Sequence, residues 1–247
     1  MRLKGVSQIV QFNWPTYAFA LLAAVAALLV RPFLPDFLQP WLLFAVVCGL
    51  LSTLLSLIAS WYVYDASNLY DFDYIETEDQ GTAQRIANIH AGFDETTTPL
   101  SKRFPQAKFD VFDFYDPQKH TEASIRRARN RYPAEPGTIP ISSDQILAAD
   151  ATYDRIFLVF AAHEIRDDRE RIDFFKELRR ISKPGASVHV VEHLRDWRNA
   201  LVYSVGCLHF HSDTTWHRTF EKSGWPVSSS THPNPFIISY HLKCSSI

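Results

Sequence analysis

The chain changes character near residue 64. Between residues 14 and 63 nearly every position is apolar, and only Arg31 and Asp36 carry charge. Beyond Tyr64 charged residues recur every few positions. The stretch 41–63 (WLLFAVVCGLLSTLLSLIASWYV) is uncharged throughout. As a helix it measures about 35 Å, enough to cross a hydrocarbon core of roughly 30 Å. The stretch 14–30 gives about 26 Å and can extend through Pro32, Phe33 and Leu34. Pro32, Pro35 and Pro40 break the helical pattern between the two and predict a tight connection. The pattern therefore predicts a membrane hairpin over 1–64, with helices at about 14–34 and 41–63.

Aromatic residues mark the edges of both stretches: Trp14 and Tyr17 at the start, Trp61, Tyr62 and Tyr64 at the end. Their amphipathic rings favour the membrane–water interface. Arg2 and Lys4 precede the first helix, and the connection carries only Arg31 against Asp36. The positive-inside rule then puts the N-terminus, and after two spans the remaining chain, in the cytoplasm. A cleaved signal peptide fits poorly, because the apolar stretch starts after Asn13 and a second follows at once. A hairpin buried in a soluble core would rarely be so free of charge. A re-entrant first segment would invert the topology.

The rest of the chain alternates between two periodicities. Residues 65–84 are acidic, aromatic and poor in aliphatics, and read as a linker or a short amphipathic helix. Residues 85–90 (RIANIH) and 108–115 (KFDVFDFY) are strand candidates. Thr98 or Ser101 can cap a short helix between them. A helix with a basic face, 121–131, ends before Pro133, and a loop covers 133–145. The run IFLVF within 153–161 suits a strand buried on both faces of a parallel sheet. A helix over 167–182 shows an apolar stripe of Ile172, Phe175 and Leu178 with Phe174 and Ile181, and stops at Lys183-Pro184-Gly185. A strand at 187–191, a helix at 214–223 closed by Gly224, and a strand at 236–242 complete the series. Strands alternating with helices predict an α/β fold with a doubly wound, mostly parallel sheet over 85–247.

The chain has 247 residues, so about 180 remain outside the hairpin, enough for one full core. Net charge is −2 and no basic face dominates, so a nucleic-acid partner is not implied. Cys48, Cys207 and Cys244 are odd in number and far apart, which suits neither a disulfide framework nor a zinc site. Few, unpaired cysteines suit a reducing compartment.

The stretch 153–194 (YDRIFLVFAAHEIRDDRERIDFFKELRRISKPGASVHVVEHL) carries a family likeness. A D-rich turn leads into a buried strand, then a His–acid pair, a helix ending at K-P-G, and another strand. It resembles the later half of a class I S-adenosylmethionine-dependent methyltransferase. Residues 214–227 (TTWHRTFEKSGWPV) are similar to the family's late helix, before a final strand pair that ends in FIISYHL. The resemblance covers 85–243.

It implies S-adenosylmethionine as cofactor and assigns candidate residues. The cofactor loop after the first strand corresponds to 88–95, where Asn88, Ala91 and Gly92 are the matching positions. The family's loop is richer in glycine, which lets backbone N–H groups approach the ligand. A carboxylate at the end of the second strand is the family's ribose ligand. Asp113 holds that position, Asp116 is the alternative, and Asp110 lies too near the middle of the strand. Asp116 before Pro117 can equally begin a turn. Asp144 matches the acidic residue near the adenine amino group, or is a solvated loop residue.

His163 and Glu164 follow the buried strand, where carboxyl ends open into a ligand crevice. His163 as general base with Glu164 beside it is the expected catalytic pair, and capping or packing is the alternative for Glu164. Glu192-His193 follows the next strand and is expected nearby, a second His–acid pair at an adjacent strand end. His193, Phe210 and Trp216 are expected on the acceptor side, within an aromatic lid that includes Trp197 and Tyr203. His209, His211 and His217 have no diagnostic metal spacing, and no metal is assigned.

The lead expectation is methyl transfer to a lipophilic small molecule of quinone, isoprenoid or lipid type at the bilayer. A catalytically degenerate binding protein of the same fold is the alternative, with the basic helix Arg126, Arg127, Arg129 and Arg131 as a docking face. A different nucleotide-using enzyme on the same sheet is a third.

Overall fold

The computed structural model describes residues 3–75 and 84–244. Two long helices come first, α1 (Lys4–Val30) and α2 (Gln39–Trp61), joined by a short 3-10 turn at Arg31–Phe33. The helical stretches Lys4–Phe33 and Gln39–Asp71 are long and apolar enough to cross a membrane. Their lipid-length portions bury little: Leu22, Leu29, Phe44 and Leu51 are all exposed.

The first helix begins ten residues before the expected start. Its opening turns form a separate piece, because Asn13 leaves helical geometry (φ −117°, ψ 16°) ahead of Pro15, which has no N–H to continue the ladder. This piece is held on the domain rather than free. The Asp65 carboxylate accepts from the N–H groups of Gly5 and Val6, both at 2.8 Å, and satisfies two orphan donors of the helix start. Phe12 is buried against Phe93 and Tyr132, and its carbonyl accepts from Arg127.

The sheet has seven strands: β1 (Arg85–His90), β2 (Lys108–Asp113), β3 (Ile139–Pro140), β4 (Tyr153–Val159), β5 (Ser182–His193), β6 (Val227–Asn234) and β7 (Ile237–Lys243). Their order is β3-β2-β1-β4-β5-β7-β6. β1 to β5 pair in parallel, and β7 enters antiparallel between β5 and β6. This is the doubly wound, mostly parallel sheet expected from the strand–helix alternation.

The apolar run of β4 is buried on both faces. Ile156 and Leu158 join one cluster with Phe174, Phe175 and Leu178 of α5 (Asp168–Ile181) and with Trp216 and Phe220 of α7 (Asp213–Lys222). Phe157 and Val159 join the other with Leu100 of α3 (Thr97–Arg103) and with Val63, Leu69, Phe72 and Ile75. Each such buried side chain contributes ~1.5–3 kcal/mol.

Several expectations are corrected. Residues 65–75 are not a linker: a π turn at Tyr62–Ala66 and a 3-10 turn at Leu69–Asp71 roof one face of the sheet, and Phe72 and Leu69 are core residues. The remainder of the expected linker, 76–83, lies outside the described residues. α3 is capped from Asp94, whose Oδ1 accepts from Thr96 N (3.0 Å) and Thr97 N (2.9 Å), and Thr98 and Ser101 lie inside the helix. Lys183-Pro184-Gly185 belongs to the start of β5, where the register with β4 shifts, and α5 has already ended at Ile181. The loop 133–145 contains the short β3, and α4 starts at Ala123 (Ala123–Arg131). The segment expected as a lid forms α6 (Trp197–Tyr203) and a 3-10 turn at Ser204–His209.

Candidate active site

β1 lies between β2 and β4, so the chain order reverses there and a crevice opens at the strands' carboxyl ends. A cleft of about 270 Å³ sits at the ends of β2 and β3, lined by Phe114, Tyr115, Asp116, Pro117, Lys119, Ile141, Ser142 and Ser143. Asp116 is half-buried there, and its carboxylate accepts from Gln118 N at 2.8 Å.

Asp113 is at the strand end as expected but is engaged within the protein. Its Oδ1 accepts from Gly92 N (2.8 Å) and Tyr115 N (2.9 Å), and its Oδ2 pairs with Arg129 of α4 at 2.5 Å. Of the two carboxylates left open by the sequence, Asp116 is the one that faces the cleft. Asp144 does not line it. It is exposed, accepts from Ser142 Oγ, and borders a separate surface depression with Glu177 and Arg180.

The loop after β1 is closed on itself. Asn88, fully buried, donates through Nδ2 to Thr96 Oγ1 (3.0 Å) and Thr97 Oγ1 (2.7 Å). Ala91 is a core residue. Gly92 adopts φ +83°, and a Cβ there would come within 3.0 Å of the Tyr115 ring. Glycine is therefore required for the turn and for the close approach of that ring.

At the end of β4 a 3-10 turn (Ala162–Glu164) places His163 between two carboxylates. Nδ1 meets Glu192 at 2.7 Å, Nε2 meets Glu164 at 3.4 Å, and Glu192 also accepts from His163 N at 3.1 Å. Burial by itself would lower the His163 pKa, but the Glu192 charge, with Glu164, prevails and raises it to about 10. Burial pushes Glu164 upward, and His163, aided by Arg166, holds it below the usual carboxylate range. That shift favours the imidazolium, with both ring nitrogens engaged by carboxylates. Glu164 Oε2 is buried with no hydrogen-bond partner among the described residues.

His193 is a packed hub. Its ring stacks between Phe160 (5.2 Å) and Phe210 (4.7 Å), and Tyr203 meets it edge-on at 5.3 Å. Nδ1 bonds Asn199 Oδ1 at 3.1 Å and Nε2 bonds the Tyr64 hydroxyl at 3.0 Å. That pattern makes Nδ1 the donor and Nε2 the acceptor of a neutral ring, and burial lowers its pKa to about 3. Trp216 is not a lid residue: it is fully buried between Phe175 and Phe220. His211 turns to Arg171 and Trp216 and His217 to Asp213, and among the described residues no set of His, Cys, Asp or Glu converges as a metal site.

Glu192 was expected near His163 from its place at the next strand's end, whereas Arg129 and Tyr64 were read only as a docking face and an interface aromatic and enter the site through contacts that the sequence did not show.

No protein-family model matches the sequence, and no curated protein matches it. Solved structures match its fold. A SAM-dependent methyltransferase from Aquifex aeolicus superposes with a TM-score of 0.53 at 19% identity, over 72% of this chain and 93% of that one. A SAM-dependent methyltransferase from Leishmania major gives 0.52 at 17% identity, over 89% and 82%. The [4+2]-cyclase SpnF gives 0.52 at 11% identity, over 74% and 82%. The chain has the fold of the class I S-adenosylmethionine-dependent methyltransferases.

Proposed function

We propose that the chain is a membrane-anchored enzyme that transfers a methyl group from S-adenosylmethionine to a lipophilic small molecule of quinone, isoprenoid or lipid type. The observation that carries this is the strand order β3-β2-β1-β4-β5-β7-β6 with a cleft at the carboxyl ends of β2 and β3, beside the switch point.

The cleft residues suit the nucleoside half of that cofactor. Phe114, Tyr115 and Ile141 offer apolar and aromatic surface and Asp116 offers a carboxylate for ribose hydroxyls, while the Ser142 and Ser143 hydroxyls already donate to Asp144 and Glu170. When bound, the cofactor supplies an electrophilic methyl on a sulfonium. The cluster of Glu164, His163 and Glu192 pairs two carboxylates with one imidazolium and so keeps one net negative charge, which complements a cation held across the switch point. His163 fixes both carboxylates, and Glu164 Oε2, buried with no hydrogen-bond partner among the described residues, is left to accept a hydrogen bond from a bound group. Positioning the acceptor supplies most of the catalysis.

The membrane setting rests on the exposed apolar surface of α1 and α2, an unfavourable surface in water. The hairpin spans the bilayer twice and leaves the catalytic domain on the cytoplasmic side. Tyr64, just past α2, bonds His193 directly, so the anchor and the site share one hydrogen-bonded pair.

A second reading is a binding protein without chemistry, favoured by one observation. Gly92 N, Asn88 and Asp113 spend their polar groups inside the protein. The two readings part in one assay: the detergent-solubilised full chain, S-adenosylmethionine labelled on its methyl group, and a membrane lipid extract. Label passing into the organic phase supports transfer, and cofactor binding with no transfer supports the second reading. The absence of both sinks the enzyme.

A further inference from the structure

The second face of α6 has no role in the site. Trp197, Leu201, Val205 and Leu208 are 72%, 65%, 79% and 64% exposed. Trp197 and Leu201 lie one turn apart on α6, and after the chain leaves helical geometry at Ser204 (φ +51°) the 3-10 turn presents Val205 and Leu208, also exposed. The opposite side is core-facing: Asn199, Val202 and Cys207 are buried, and Tyr203 packs on His193 and Phe210. Asp196 caps the helix by accepting from Asn199 N at 2.8 Å, so the element is well formed and its apolar side is not frayed chain.

Two features say what covers this face. α6 packs against α2, whose last turn is buried beside it at Ala59 and Ser60. The apolar face of α6 is therefore continuous with the hairpin at its aromatic end, where Trp61 and Tyr62 lie. In addition, Arg195 and Arg198 are exposed at the start of the segment, and the Arg198 guanidinium lies over the Trp197 ring at 5.7 Å. Tryptophan beside arginine suits the level of the lipid headgroups.

We propose that Trp197–Tyr203 and the following turn lie in the headgroup layer of the bilayer that the hairpin crosses, as a third membrane contact. This rests on the membrane reading of α1 and α2. It goes beyond anchoring, because a third contact fixes which side of the domain meets the lipid. Tyr203 and Phe210 form the inner side of the same segment, so one layer of side chains separates the lipid from His193. A lipophilic acceptor would enter past α6.

The test uses the full chain in phosphatidylcholine–phosphatidylglycerol vesicles whose lipids carry a quencher either shallow or deep in the acyl chain. A fluorescent amino acid replaces Leu201, Val205, Leu51 of α2 or Leu147 in turn. Leu147 is also exposed but borders the depression near Glu177. The shallow quencher should remove roughly half of the emission at 201 and 205, as for a helix face buried about 5–10 Å, and leave 147 unchanged. The deep quencher should act at 51. Quenching at 51 with none at 201 and 205 overturns the third contact while the hairpin stands. No quenching at 51 overturns the membrane reading and this inference with it.

Discussion

Asp113 and His163 occupy the strand ends that their sequence positions predicted, yet neither is free for its expected task. Each is paired with a residue from another element: Arg129 comes from α4 and Glu192 from the neighbouring strand. The nearness of Glu192 was legible from its position at the next strand's end; the pairing of Arg129 with Asp113 was not. The Arg129 pair should matter for stability. Arg129→Ala leaves the buried Asp113 carboxylate without its cation and should cost about 2–3 kcal/mol, less than a fully buried pair because the guanidinium is 28% exposed. Denaturant unfolding in micelles measures it.

The His163 pair makes a pH prediction with a definite sign. Its pKa is raised from the ordinary 6.5 to about 10, so its contribution is complete below pH 6.5 and is lost as the pH rises through 10. Wild-type stability should therefore fall between those limits by more than that of Glu192→Gln. Imidazole NMR should show His163 still protonated at pH 8, and titration near the ordinary value would refute the pairing.

At the scale of elements, long periodic stretches were legible: the buried run of β4, the stripe of α5 and the two apolar helices. The misses lay where tertiary contacts override local pattern. Residues 65–75 look polar, yet Leu69, Phe72 and Ile75 are spaced so that few aliphatics suffice to roof the sheet. The start of α1 carries no capping residue of its own, because the cap comes from Asp65, across the whole hairpin. Asp65→Ala should destabilise this junction by roughly 1–2 kcal/mol. Hydrogen exchange should then rise in residues 4–12 and stay unchanged in β4 and β5. Uniform exchange across both regions would deny the junction its local role.

For the whole molecule, the alternation of strands and helices was enough to give the sheet type, and the stretch 153–194 its family likeness. The last strand, β7, was legible from its own alternation, and its partner β6 followed only from that likeness. The cofactor loop was least legible. A single glycine among Asn88, Ala91 and Gly92 gave no pattern, and the structure shows the loop satisfied by its own threonines and by Asp113. The candidate site therefore shifts toward the cleft at Tyr115, Asp116 and Ser143. The most direct measurement is calorimetric titration of the detergent-solubilised full chain with S-adenosylhomocysteine. One saturable site per chain is predicted, weakened about tenfold or more by Asp116→Asn, as for loss of a charge-assisted hydrogen bond, and unchanged by Asp144→Asn. A wild-type chain that binds no ligand, or one whose binding depends on Asp144 and not on Asp116, would contradict the placement of a nucleoside in this cleft.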